Sequence, residues 1–71
     1  MRKLTDRQIE ILEFIKEHID DYGYPPTSVE IGENFGIYPN AAWEHVKALN
    51  KKGAVTYQPG KMRSLQVVEI D

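Results

Sequence analysis

The chain contains no cysteine, which excludes a disulfide framework and thiolate metal sites and leaves stability to the core alone. No apolar run approaches the roughly 20 residues of a membrane-spanning helix. Met1-Arg2-Lys3-Leu4-Thr5 leads into an amphipathic segment rather than a signal peptide. A soluble, cytoplasmic protein without membrane contact is therefore expected. Internal repeats, low-complexity stretches and linkers are missing too. Seventy-one residues allow a single domain over 1–71 with one modest core, and leave no room for a deep substrate cavity. No nucleophile-base constellation, metal cluster or phosphate-cradling glycine loop occurs, so no enzyme, metal or cofactor is expected. His18 and His45 are assigned no site.

What is present describes a folded domain, since 41% hydrophobic and 28% charged residues are ordinary values for a globular chain and not for a disordered tail. The net charge of −2 argues against a non-specific nucleic-acid coat, whose affinity would come from many Lys and Arg on phosphates. The charge is polarised, however. Residues 1–36 carry four basic and eight acidic residues, whereas 37–71 carry five basic and three acidic ones. Such a division suits a domain with one face toward a polyanion and another toward solvent or a protein.

Thr5-Asp6-Arg7-Gln8 is a capping box, with Leu4 and Ile9 placed for a hydrophobic staple. Beyond it Ile11, Leu12, Ile15, Ile19 and Tyr22 recur at steps of three and four, predicting helix 1 over about 6–21. Gly23 can end it in the left-handed conformation, and Pro25-Pro26 forbids continuation. A second capping box, Thr27-Ser28-Val29-Glu30, opens a short helix with Val29, Ile31 and Phe35 on its buried side, closed by Gly36. After Ile37-Tyr38, Pro39 suits the first position of helix 3, over about 39–51 and closed by Gly53. Ala42, His45, Val46 and Leu49 fall on one side of it; Asn40, Trp43, Glu44, Lys47 and Lys51 fall on the other. From Val55 the period changes to two. Val55 and Tyr57 alternate with Thr56 and Gln58, Pro59-Gly60 signals a turn, and Leu65 and Val67 alternate with Ser64 and Gln66. This is a β-hairpin with Lys61, Met62 and Arg63 at or near its tip.

These elements describe an α+β, mainly α fold, a three-helix winged helix-turn-helix with a C-terminal two-stranded β-hairpin. A major groove of double-stranded DNA admits one such helix, whose N-terminal part reaches base edges while flanking elements meet phosphates. Asn40 can pair with adenine, Ala41 can approach a thymine methyl and Glu44 can accept from a cytosine amine. Thr27, Tyr38, Lys47, Lys51, Lys52, Lys61 and Arg63 are the expected backbone contacts. Trp43 has three readings: a contact with bases or sugars, a protein-interface anchor, or burial beneath the wing. Tyr38 is a poor N-cap, so either the helix start shifts or its N–H groups find another partner, such as a phosphate.

Leu4-Thr5, Arg7-Gln8, Gly23-Tyr24-Pro25-Pro26-Thr27, Glu30-Ile31, Pro39-Asn40-Ala41-Ala42, Glu44-His45, Lys47-Ala48-Leu49 and Lys52-Gly53 together make the chain similar to the N-terminal DNA-binding domain of the LexA repressors. The resemblance implies that Asn40, Ala41 and Glu44 read operator bases and that a symmetric homodimer represses at a palindromic operator. In that family a second domain cleaves itself when DNA is damaged, and no Ser-Lys protease dyad falls within these residues. Two departures stand out. The turn before Pro39 is one residue shorter, with Tyr38 in place of a small hydroxyl cap, and Trp43 replaces a second acidic base-reading residue. An alternative function is a protein-binding winged helix in which acidic helix 1 and Trp43 engage a transcription or host factor.

Overall fold

The computed structural model describes residues 3–68, apart from the side chain of Met62, so Met1, Arg2 and residues 69–71 lie outside it. Helix α1 (Asp6–Tyr22) begins at the expected cap, where Gln8 N–H donates to Thr5 Oγ1 at 3.2 Å and Thr5 N–H donates to Gln8 Oε1 at 3.0 Å. It ends at Gly23, whose φ of 82° is open to glycine at no steric cost and whose N–H returns to the Ile19 carbonyl. Helix α2 (Ser28–Phe35) repeats the device with Thr27 and Glu30, and α3 (Pro39–Lys51) follows after a two-residue link beyond Gly36. At the end of α3, Gly53 N–H bonds the Asn50 carbonyl and Ala54 N–H bonds the Leu49 carbonyl, the paired bonds of a Schellman motif that turns the chain into the hairpin.

Strands β1 (Val55–Gln58) and β2 (Lys61–Val67) pair antiparallel, with Val55 opposite Val67 and Thr56 opposite Gln66. The register shifts between Thr56 and Gln58, which faces Lys61. β2 thus carries extra residues opposite β1. Across this irregularity Gln58 N–H donates to Ser64 Oγ at 2.7 Å, a side chain replacing a missing ladder bond.

One core joins all five elements: Ile11 and Ile15 of α1, Ile31 of α2, Ala42, Val46 and Leu49 of α3, Ala54 before β1, Val55, and Leu65 of β2. The mainly helical architecture and the single hairpin agree with the winged helix-turn-helix expectation. Three apolar residues do not take their expected places. Val29, 51% exposed, stands two residues before buried Ile31 and so about 200° round the helix from it. Tyr22, 62% exposed, ends α1 beyond the core and lays its ring 4.6 Å from that of His18. Ile9 is exposed as well, while Leu4 packs on the core.

Two contacts set how the helices meet. Gly32 is buried in the middle of α2, where glycine costs about 1 kcal/mol relative to alanine. A Cβ there would lie 2.5 Å from the Ile37 carbonyl oxygen. The short turn folds directly over Gly32, whose own carbonyl accepts the Ile37 N–H at 2.9 Å. The second contact is Glu30. Its carboxylate accepts Thr27 N–H at 2.8 Å, takes the Arg63 guanidinium at 3.2 Å, and lies 3.9 Å from His18 Nε2. The Thr27 N–H, the Arg63 charge and His18 hold its carboxyl below the ordinary carboxylate range against an opposing desolvation.

Replacing Gly32 with alanine is expected to destabilise the fold by about 1–3 kcal/mol, because the obstructing atom is backbone and overpacking outweighs the gain in helix propensity. Urea unfolding of Gly32→Ala against the parent checks this; an unchanged or raised midpoint would show that the turn has room. A second expectation concerns acid. A lowered carboxyl stabilises the fold above its unfolded-state pKa, and that stabilisation disappears as pH falls through the folded value. Glu30→Gln should therefore cost about 0.5–1 kcal/mol at pH 7, kept small by the exposure of the pair. Thermal melts should bring the two proteins together only as pH falls through the lowered Glu30 value, below the ordinary carboxylate range. A gap that stays constant with pH would assign the loss to packing.

Candidate nucleic-acid interface

The start of α3 is open. Pro39 occupies the first helical position and Tyr38 the N-cap, with φ −72° and ψ 153° and no side-chain cap hydrogen bond. The helix start has not shifted to find a better cap. Ala42 N–H is the first in α3 to return to the chain, at 3.0 Å from the Tyr38 carbonyl. The N–H groups of Asn40 and Ala41 thus point out of the helix end, and the Tyr38 side chain does not cover them, being part of a residue 81% exposed. Such N–H groups, at the positive end of the helix dipole, suit an anionic oxygen.

Ala42, Val46 and Leu49 anchor α3 on the core, which forces the opposite side outward. Asn40, Glu44, Lys47 and Lys51 are all exposed and form one row; Ala41 is half-buried at its edge. Lys47 Nζ lies 2.9 Å from Glu44 Oε2, and both side chains are largely in solvent. A surface pair of this kind contributes little and exchanges readily for other partners.

Trp43 is not in that row. It sits about 60° round the helix from Asn40, on the flank beside the hairpin, half-buried with its ring 4.9 Å from that of Tyr57. Of its three readings, packing against the wing is the one found. Asn50, seven residues further on and on the same flank, donates from Nδ2 to the Val55 carbonyl at 2.9 Å. Neither Asn50 nor Tyr57 was expected to matter. The heptad step between Trp43 and Asn50 and the two-residue step between Val55 and Tyr57 are the signals that mark them.

The hairpin tip is the turn at Pro59-Gly60, where proline precedes a glycine of φ 79° as in a type II turn. Lys61 is exposed there, and it lines a cleft with Gly60, Trp43 and Ser28. The wing tip therefore lies beside the start of α2 and the flank of α3. Among the described residues Lys51 and Lys61 have no ion pair.

Two of the expected backbone contacts are turned onto the protein. Arg63 lies over the Tyr24 ring at 4.5 Å and donates to the Pro25 carbonyl at 2.6 Å and to Glu30. Lys52 donates from Nζ to the Lys3 carbonyl and to Gln8 Oε1, each at 2.8 Å, tying the end of α3 to the start of α1. Both leave the α3 face for a physical reason: each finds several acceptors within its own domain. The Thr27 hydroxyl oxygen accepts Glu30 N–H at 3.2 Å, which leaves only its proton for an outside acceptor. His18, paired with the Tyr24 carbonyl at 2.8 Å, belongs to the same corner as Arg63. Among the described residues no helix is long and apolar enough to cross a membrane.

The comparisons with known proteins agree with this geometry. A family model described as the LexA DNA-binding domain matches residues 1–64. The LexA repressor of Pseudomonas aeruginosa is 52% identical over 68 residues, covering 94% of this chain and 33% of that protein. That of Dechloromonas aromatica is 53% identical over 68 residues, with 94% and 34% covered. The LexA repressor of Saccharophagus degradans is 51% identical over 70 residues, with 97% and 35% covered. The chain spans about a third of the length of these curated relatives. On the family match across residues 1–64, and on a fold that presents one open helix beside a wing, the chain belongs to the LexA DNA-binding domain family.

Proposed function

We propose that this domain binds duplex DNA sequence-specifically and serves as the operator-reading part of a transcriptional repressor. The observation that carries the proposal is the outward row Asn40, Glu44, Lys47 and Lys51, on a helix whose first N–H groups are uncapped. An α-helix fits the major groove, and the start of that helix is where base edges come within reach. In this reading Asn40 pairs with adenine, Ala41 meets a thymine methyl and Glu44 accepts from a cytosine amine. Tyr38, the Thr27 hydroxyl proton, Lys47 and Lys51 serve the phosphates around α3, and Lys61 serves those beneath the wing. Arg63 and Lys52 act inside the domain instead.

A single module of this kind buries about 600–1,000 Å², too little for tight binding alone. Two domains on the half-sites of a palindrome supply the rest, and the LexA repressors it resembles are three times as long, with ample chain to join a homodimer. The alternative of a protein-binding winged helix is not favoured, since its aromatic anchor, Trp43, is half-buried against Tyr57.

Selection of bound sequences from random duplexes, followed by anisotropy titrations in salt, tests the reading. A palindrome should be enriched, with a log–log salt slope of about −3 per domain for the three outward lysines. Asn40→Ala should cost about 1–3 kcal/mol and relax preference at one base pair. Lys61→Ala should weaken all sequences alike and reduce the slope by about one. Absence of both enrichment and salt-dependent binding by the parent chain would rule the reading out.

A further inference from the structure

Deepening that DNA-binding reading and resting on it, we infer that Trp43 is a positioning residue: by packing on Tyr57 it sets the wing at a fixed distance from the base-reading row of α3. The need for such a contact comes from the hairpin itself. A two-stranded hairpin is marginal in water; with Tyr57 and Val67 partly buried against the core, only Val55 and Leu65 among the described residues of its two strands are fully buried. Both lie toward its base. Nearer the tip, Arg63 ties β2 to Pro25 and Glu30, which leaves β1 to be held by the flank of α3. The ladder is irregular between Thr56 and Gln58, so Tyr57 sits where regular strand pairing lapses. Side-chain packing must fix the strand there, and the ring found against Tyr57 is Trp43, 4.9 Å away.

Asn50 supports the same attachment one heptad along the helix. Its amide holds the Val55 carbonyl at 2.9 Å while Trp43 holds Tyr57, so one flank of α3 grips β1 at two points two residues apart. Two points fix a direction, where one would fix only a position. Trp43 also lines the cleft with Gly60 and Lys61, so it stands beside the turn. The distance between a base contact at Asn40 and a phosphate contact at Lys61 is then set by the Trp43–Tyr57 pair. Trp43 acts on DNA through the wing and reads no base.

The experiment uses the duplex selected by the parent chain and compares Trp43→Ala, Tyr57→Ala, Trp43→Phe, the double alanine variant and Trp43→Ala combined with Lys61→Ala. A wing released from α3 loses its phosphate contact. Each single alanine variant should then bind about tenfold more weakly at about 0.1 M salt and lose about one unit of salt slope. Base preference stays unchanged. Trp43→Phe, which keeps a ring against Tyr57, should bind within about twofold of the parent. The double alanine variant should be no weaker than either single one, and Lys61→Ala should add nothing to Trp43→Ala, because members of one contact are not additive. If the alanine variants melt below the assay temperature, Trp43→Leu and Tyr57→Leu keep apolar volume without the ring contact and carry the same comparison. Altered preference at a base pair in Trp43→Ala, or parent-like binding by Tyr57→Ala, overturns the positioning role while leaving DNA binding standing. A parent chain that binds no duplex overturns both.

Discussion

The close approach of Gly32 to the Ile37 carbonyl governs how α3 is presented. A chain that leaves α2 at Gly36 and enters α3 at Pro39 has only Ile37 and Tyr38 with which to reverse direction. So short a turn must lie against α2, and it lies where a Cβ is missing. Glycine weakens α2 by about 1 kcal/mol, and the reciprocal bonds of Thr27 and Glu30 at the other end of the helix offset that loss. The tight turn also fixes where α3 begins. Pro39 brings no N–H and Tyr38 no cap, so the helix meets solvent with its first donors free. An open helix end and a compact turn are thus two results of one constraint.

Charge is distributed by the same folding. The segment 37–71 is basic in composition, yet two of its five cations, Lys52 and Arg63, are committed to acceptors within the domain. Lys47, Lys51 and Lys61 remain for the outer face, and Lys47 is shared with Glu44. A face with so few cations gains only a modest, salt-sensitive attraction to a polyanion. Under the proposed function, discrimination must then come from the short side chains at the start of α3 and from pairing of half-sites rather than from bulk charge. The acidic exterior of α1 reinforces this, since it disfavours phosphates on that side of the domain.

Much of the scaffold is legible in the sequence. Both capping boxes, the glycine ends of α1, α2 and α3, the proline at the start of α3 and the period change at Val55 are local signals, and each element lies within a residue or so of its expected place. The residues that depart from expectation depend on direction as well as spacing. Val29 and Ile31, both apolar, stand two residues apart and so point apart on the helix. Trp43 follows Asn40 by three residues, and a turn of about 60° takes it to the flank. Arg63 is near the tip in sequence, but alternation in β2 puts it on the same face as Leu65 and Val67, toward the protein. Gly32 and the Trp43–Tyr57 pair are different in kind. A hole for a missing Cβ is written in no local period, and the periods that put Trp43 and Tyr57 each on one face do not say that the two meet across fourteen residues.

The wing gains its rigidity from both of its strands. β1 is gripped by the flank of α3 through Tyr57 and Val55, and β2 is gripped by the corner between α1 and α2 through Arg63, which meets Tyr24, Pro25 and Glu30. Because Glu30 also caps α2 and faces His18 of α1, a displacement of β2 would disturb two helices at once. A hairpin held on two sides loses little further freedom when its tip meets a ligand, so the ordering cost falls on folding rather than on binding. Under the proposed function, an arginine inside the domain contributes to recognition by holding the wing. It holds β2 while Trp43 and Asn50 hold β1, so the two strands reach the turn at Lys61 with each of them anchored.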